Sequence, residues 1–238
     1  MKRYVPSLLL LLVSCLQGFA QTATKLEGAW TGTDNTSASV LLTIVDGYLM
    51  QTTYTPDKFI ATRGGTWQRN DTGNLVLMVE FDSQDSSRVG QEEQYPVVIT
   101  GGRLTITGTS GKQVLNRMTE SSAQSSLTGL WRITRRVNEQ GERTTMQAGP
   151  RKTIKLLTDS RFQWAAINPK TKQFMGTGGG TYRVDGNQYT ETIDFFSRDN
   201  SRVGRSLTFT VNLTGTDWQH TGKSSTGGAV NEVWSREK

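Results

Sequence analysis

The chain reads as all-β: two tandem antiparallel up-and-down barrels of eight strands each. The stretch VEFDSQDSSRVG at 79–90 recurs as IDFFSRDNSRVG at 193–204, 114 residues later, with seven of twelve positions identical. Flanking matches keep nearly the same offset: Gly64-Gly65-Thr66-Trp67 answers Gly179-Gly180-Thr181-Tyr182, and Gly28-Ala29-Trp30 answers Gly129-Leu130-Trp131. A period near 100 residues is too long for a solenoid repeat and suits a small domain written twice. No long stretch carries the 3.6-residue period of a helix. Short alternating segments bounded by Gly, Asn, Asp and Ser recur about every 8–14 residues instead, the pattern of strands joined by hairpins. Strands in hairpin succession close into up-and-down barrels, which leave no free sheet edge.

In chain order, residues 1–20 read as a signal peptide. Lys2 and Arg3 precede an apolar run from Leu8 to Val13, and Gly18-Phe19-Ala20 offers a cleavage site before Gln21. Leu12-Val13-Ser14-Cys15 also resembles a lipobox, but apolar Leu16 and Phe19 after Cys15 favour ordinary secretion over a lipid anchor. The run is too short to span a bilayer. The first barrel, 21–119, has strands expected near Trp30 and over 40–45, 48–55, 58–67, 75–81, 94–99, 104–108 and 113–118. A polar linker, 120–126, follows: Glu120, Ser121, Ser122, Ala123, Gln124, Ser125 and Ser126 suit an exposed connection. The second barrel, 127–238, has strands expected over 131–137, 153–158, 161–167, 173–182, 189–196, 206–213, 217–222 and 230–236. Its alternation is plainest where Leu207, Phe209, Val211 and Leu213 share one face, and Phe162, Trp164 and Ala166 another. Asp185-Gly186-Asn187 is a hairpin turn signal. One barrel assembled from two halves is the other arrangement, disfavoured because each unit supplies enough strands to close.

Composition narrows the setting. Cys15 is the only cysteine, so a cleaved chain has none, which excludes disulfides, thiolate catalysis and cysteine metal sites. A secreted chain without cysteine points to a bacterial envelope, in particular the periplasm. The charge is unevenly divided: residues 26–119 carry 7 Lys+Arg against 10 Asp+Glu, a net of −3, and residues 127–236 carry 16 against 9, a net of +7. The basic half favours an anionic partner. The diffuse basic pattern, in this compartment, argues against nucleic acid.

Gly28-x-Trp30 and Gly129-x-Trp131 each open a unit, and Arg117 or Arg236 lies on each last strand. This resembles the lipocalin and calycin superfamily, whose first strand begins Gly-x-Trp. The resemblance implies that Trp30–Arg117 and Trp131–Arg236 are structural pairs, a guanidinium over an indole that seals one barrel end. The segments Thr-x-Ser-Arg-Phe-x-Trp (158–164), Gly-Gly-Gly-Thr-Tyr (178–182) and Glu-Val-Trp (232–234) are also similar to small secreted bacterial lipocalin-like proteins of unassigned function. Later lipocalin loop motifs are missing and each unit is short, so the fold transfers more securely than a function.

Each candidate site has a structural reading beside it. The repeated Asp85-Ser86-Ser87-Arg88-Val89-Gly90 and Asp199-Asn200-Ser201-Arg202-Val203-Gly204 read as a structured connection before an anion site. Gly176-Thr177-Gly178-Gly179-Gly180 is no phosphate loop, because no helix follows it; glycines that bend a strand are the better account. His220 is the only histidine, which excludes a multi-histidine zinc site and leaves no Ser-His-Asp triad elsewhere in the chain. Its counterpart in the first unit is Ile106, so a packed histidine is expected before a haem ligand. Glu191 and Asp194 lie three apart on one strand, point to opposite faces and do not form a catalytic carboxylate pair.

The expectation is therefore a non-enzymatic secreted protein that holds a small hydrophobic or amphipathic molecule, with no metal or cofactor. The second barrel is favoured, with Phe162, Trp164, Phe174, Tyr182, Tyr189, Phe195 and His220 as candidate ligand-binding residues, and Arg135, Arg136, Lys152 and Lys155 drawing an anionic head. The alternative is an interaction module with filled barrels that binds an envelope protein or glycan. Differences between the copies, Ile106 against His220 and Asp82 against Phe196, are where specificity should lie.

Overall fold

The structure, a computed structural model, describes residues 26–109, 111–120, 125–138 and 142–237; the signal segment, Cys15 and linker residues 121–124 fall outside them. The described chain forms two barrel-shaped antiparallel sheets. The first contains β1 (Gly28–Thr33), β2 (Ser39–Val45), β3 (Tyr48–Thr55), β4 (Lys58–Arg69), β5 (Leu75–Asp82), β6 (Glu92–Tyr95), β7 (Val97–Thr100), β8 (Arg103–Gly108) and β9 (Gly111–Arg117). Neighbours in sequence pair, except β6 and β7, and β9 returns to β1. The single strand expected over 94–99 is split at Pro96, which has no N–H to donate. Its first half pairs with β5 and its second with β8, so the ring closes through the chain itself.

The second sheet contains β10 (Gly129–Val137), β11 (Arg143–Thr145), β12 (Lys152–Leu157), β13 (Arg161–Asn168), β14 (Gln173–Asp185), β15 (Gln188–Phe196), β16 (Ser206–Thr214), β17 (Asp217–Lys223) and β18 (Ala229–Arg236). Eight of them form the ring, closed by β18 on β10. The ninth, β11, was not expected. It is an exposed addition that pairs only with the far end of β10, and its three polar residues carry no alternation to read.

Both barrels are sealed at the end where their first strand begins. Arg117 stacks over Trp30 at 4.1 Å and Arg236 over Trp131 at 4.2 Å, each from Cζ to the ring centroid. Each indole donates Nε1–H to a backbone carbonyl four residues earlier, Leu26 or Leu127, at 2.8 Å. The arginines also donate to backbone carbonyls, Arg117 to Glu27 and Arg236 to Thr128 and Ser126.

The twelve-residue repeat builds the same local structure twice. After β5 and after β15 comes a single 3-10 turn, capped by the Asp85 or Asp199 carboxylate accepting from Ser87 N–H or Ser201 N–H. Gly90 and Gly204 follow with φ of 86° and 81°, left-handed values that favour glycine. Arg202 pairs with Asp199 at 2.8 Å, as a structured connection requires. Arg88 does not pair with Asp85; it reaches back to Asp82 at 3.0 Å and across to Glu93 at 2.7 Å.

The barrels pack on each other through outward faces of the early strands. Phe81, Val45, Tyr48 and Met50 of the first barrel meet Leu130, Ile154, Leu156, Ala165 and Ile167 of the second. Phe195 of the second barrel packs with Ala29 and Leu41 of the first, flanked by Tyr54 and Phe59. Gln163 sits buried between the sheets, donating to Thr62 and Thr177 and accepting from Thr52. Glu120, expected in an exposed linker, is instead half-buried, accepting from Ala29 N–H and from Thr158 and Ser160.

Candidate functional site

Each barrel holds a cavity at the end away from its tryptophan seal. The first encloses about 1000 Å³ and is lined by Gln51, Arg63, Asp82, Arg88, Glu93, Tyr95 and Gln113 among others. These groups bond one another. Arg63 donates to the Tyr95 hydroxyl at 2.9 Å and to Glu93 at 3.2 Å, Tyr95 donates to Glu93, and Gln51 donates to Gln113 at 2.9 Å. Below this network the interior is aliphatic, with Leu42 and Leu77 buried.

The second cavity, about 940 Å³, is built differently. Its walls are Phe162, Trp164, Ile193, Phe196, Leu207 and Phe209, with Trp234 deeper. Its mouth is basic, since Arg136, Arg151 and Arg198 sit where β10 and β15 end and β12 begins; Lys152, expected to draw an anionic head, pairs instead with Glu80 of the first barrel at 2.9 Å. The connection carrying Met146 to Arg151 crosses this mouth and is tied down by Arg132, which donates to the Gly149 carbonyl at 2.7 Å.

The floor is polar. Lys155 Nζ meets Glu191 Oε1 at 2.5 Å with both side chains buried, and the ammonium lies 5.2–5.4 Å from the ring centres of Phe162, Tyr189, Trp218 and Trp234. Such a ring of aromatic faces stabilises a desolvated cation. His220 stands beside the pair, 3% exposed, with its ring centre 4.0 Å from Phe209 and edge-on to Trp218 at 5.0 Å. Its Nδ1 has no hydrogen-bond partner among the described residues. Burial, then the Lys155 charge, hold His220 well below the usual imidazole range, so it is neutral. Burial and the nearby Glu191 carboxylate push the Tyr189 phenol well above its usual range.

The strand ladders place the two copies position by position. Gly65 pairs with Leu49 and Gly180 with Phe162, which makes Gln51 the counterpart of Trp164 and Leu42 that of Lys155. Along β5 and β15, Leu77 matches Glu191 and Asp82 matches Phe196; farther on, Tyr95 matches Phe209 and Ile106 matches His220. The polarity is thus inverted. The first barrel is apolar below and polar above; the second is apolar along its walls and polar at its floor.

Of the sequence candidates, Phe162, Trp164 and His220 line the second cavity. Tyr189 lies under it in the aromatic floor, and Tyr182 at the sealed end, where its hydroxyl donates to the Thr158 carbonyl at 2.6 Å. Phe174 and Phe195 do not face the cavity at all. An extra residue on β14 at Met175 and another on β15 at Asp194 shift the alternation by one, turning Phe174 and Phe195 outward and Met175 and Phe196 inward. Arg135 points away as well and pairs with Asp217. Glu191, which sequence alternation only separates from Asp194, pairs with Lys155, 36 residues away in sequence; the signal for the pair is the two leucines at the same positions of the first copy.

Among the described residues, no group of three His, Cys, Asp or Glu side chains is placed to hold a metal ion, and no helix is long and apolar enough to cross a membrane. Residues 126–238, the second barrel, match a family described as a domain of unknown function (DUF4488). No curated protein matches the chain.

Proposed function

We propose that this protein is a non-catalytic carrier of one small amphipathic molecule, held in the second barrel with an anionic end at the basic mouth. The observation that carries the reading is the cavity of about 940 Å³ with aromatic and aliphatic walls, a size and lining suited to a small-molecule site. Four basic side chains (Arg136, Arg151, Lys155 and Arg198) line it against two carboxylates, Glu191 and Glu232, whereas Lys152 is paired with Glu80 and Arg132 with Glu237. The first cavity has three basic and three acidic side chains and apolar groups mainly below. With its signal-like start, the chain would work outside the cytoplasm, in the envelope.

The test is a fluorescence titration with 1-anilinonaphthalene-8-sulfonate, an apolar dye with one anionic group. The wild-type protein is expected to bind it at one site. Ala166→Trp, which fills the cavity from β13, should abolish binding and leave the melting temperature nearly unchanged. Equal dye binding by the folded variant contradicts the reading.

A further inference from the structure

We infer that Lys155, Glu191 and His220 form a subsite for a neutral hydrogen-bonding group, a hydroxyl or carbonyl, at the inner end of the ligand. The inference rests on the carrier reading above and narrows the ligand to an amphipathic anion that is polar at both ends.

The fold does not require these three residues. The first barrel closes around Leu42, Leu77 and Ile106 at the same positions, with Leu42 and Leu77 in its core and Ile106 packed against it. Burying an ion pair costs several kcal/mol of desolvation that its own attraction only partly returns. A buried imidazole nitrogen without a partner adds a further penalty. The second barrel accepts both costs at one level of its interior, on three strands whose side chains converge on the cavity floor.

Electrostatics select what would bind there. Lys155 and Glu191 offset each other in charge, and His220 is uncharged, so the floor as a whole is neutral. An ionised ligand group would lose its hydration against the Glu191 carboxylate without a net countercharge. A neutral group loses far less, and an imidazole has one donor and one acceptor to offer it. The anionic end is then left at the mouth, among Arg136, Arg151 and Arg198. From Arg151 to Lys155 along β12 is about 13 Å at the usual strand rise, a depth suited to a chain of some ten carbons.

The experiment is displacement of bound 1-anilinonaphthalene-8-sulfonate from the full chain by decanoate, 10-hydroxydecanoate and decanedioate. Wild-type protein should prefer the hydroxy acid over decanoate by about tenfold and bind the diacid most weakly. The variant Lys155→Leu/Glu191→Leu/His220→Ile, which installs the residues of the first copy, should lose that order and bind decanoate best. His220→Ile alone keeps the ion pair and should narrow the preference, which guards against misfolding of the triple variant. Equal affinities in the wild type, or a preference unchanged in either folded variant, overturn the subsite while leaving the carrier reading intact. Failure of all three acids to displace a dye that does bind overturns both.

Discussion

Lys155 and Glu191 show how a duplicated chain supplies its own control at the scale of single residues. Removing one partner leaves an unpaired buried charge, whereas replacing both by leucine installs the apolar pair that the first copy already carries at these positions. Lys155→Leu should therefore cost about 3–5 kcal/mol, and Lys155→Leu/Glu191→Leu should be neutral or stabilising; urea unfolding of the three proteins measures this. His220 gives a second prediction. Its folded pKa lies well below the 6.5 of a free imidazole, so the unfolded chain binds the extra proton. Stability is then complete above about pH 6.5 and falls as the pH drops below it, with a slope of at most about 1.4 kcal/mol per pH unit. Unfolding series between pH 7 and pH 5 should show a shallower slope in His220→Ile. The sequence placed His220 on an inward face, through its match to Ile106. It did not reveal the Lys155–Glu191 pair, because alternation tells which face a side chain is on and not which neighbour it meets across a barrel.

At the scale of strands, the decisive features are bulges. Strands β5 and β15 each carry one extra residue, at Glu80 and Asp194, opposite the paired glycines of β4 and β14. A Cβ on Gly65 would run into the Met78 carbonyl, and one on Gly180 into the Thr192 carbonyl, so the backbones there approach too closely for any side chain. Gly180→Ala should cost about 3 kcal/mol, at the upper end for overpacking. Gly186→Ala, in a hairpin turn with φ of 58° and open space around it, should cost only about 1–2 kcal/mol for its left-handed backbone. Thermal unfolding of the two variants compares them. The eight segments of each ring and their hairpin order were legible because alternation and turn residues are local, whereas β11 and the break at Pro96 were not. The inward or outward sense of Phe174 and Phe195 was not, since one inserted residue reverses it without altering composition.

At the scale of the molecule, the two copies pack as an internal pseudo-dimer. Phe59 and Phe174, equivalent residues, stack across the contact at 6.4 Å, and Thr62 and its counterpart Thr177 both accept from Gln163. Phe81 and Phe195, also equivalent, each pack among residues of the opposite barrel, the reciprocity expected of a twofold interface. The signal for this contact lay in β2, where Val40, Leu41, Leu42, Ile44 and Val45 form a nearly continuous apolar run and every residue from Val40 to Val45 is buried. Such a run marks a strand covered on both faces. One barrel with a polar, self-bonded network over an aliphatic interior thus backs another with apolar walls, a basic mouth and a polar floor. The most direct measurement is a crystal structure of the full chain grown with 10-hydroxydecanoate. One molecule should lie in the second barrel, its carboxylate among Arg136, Arg151 and Arg198 and its hydroxyl within hydrogen-bond distance of the floor. Ligand in the first barrel, on the outer surface, or with its carboxylate against Glu191 would contradict that account.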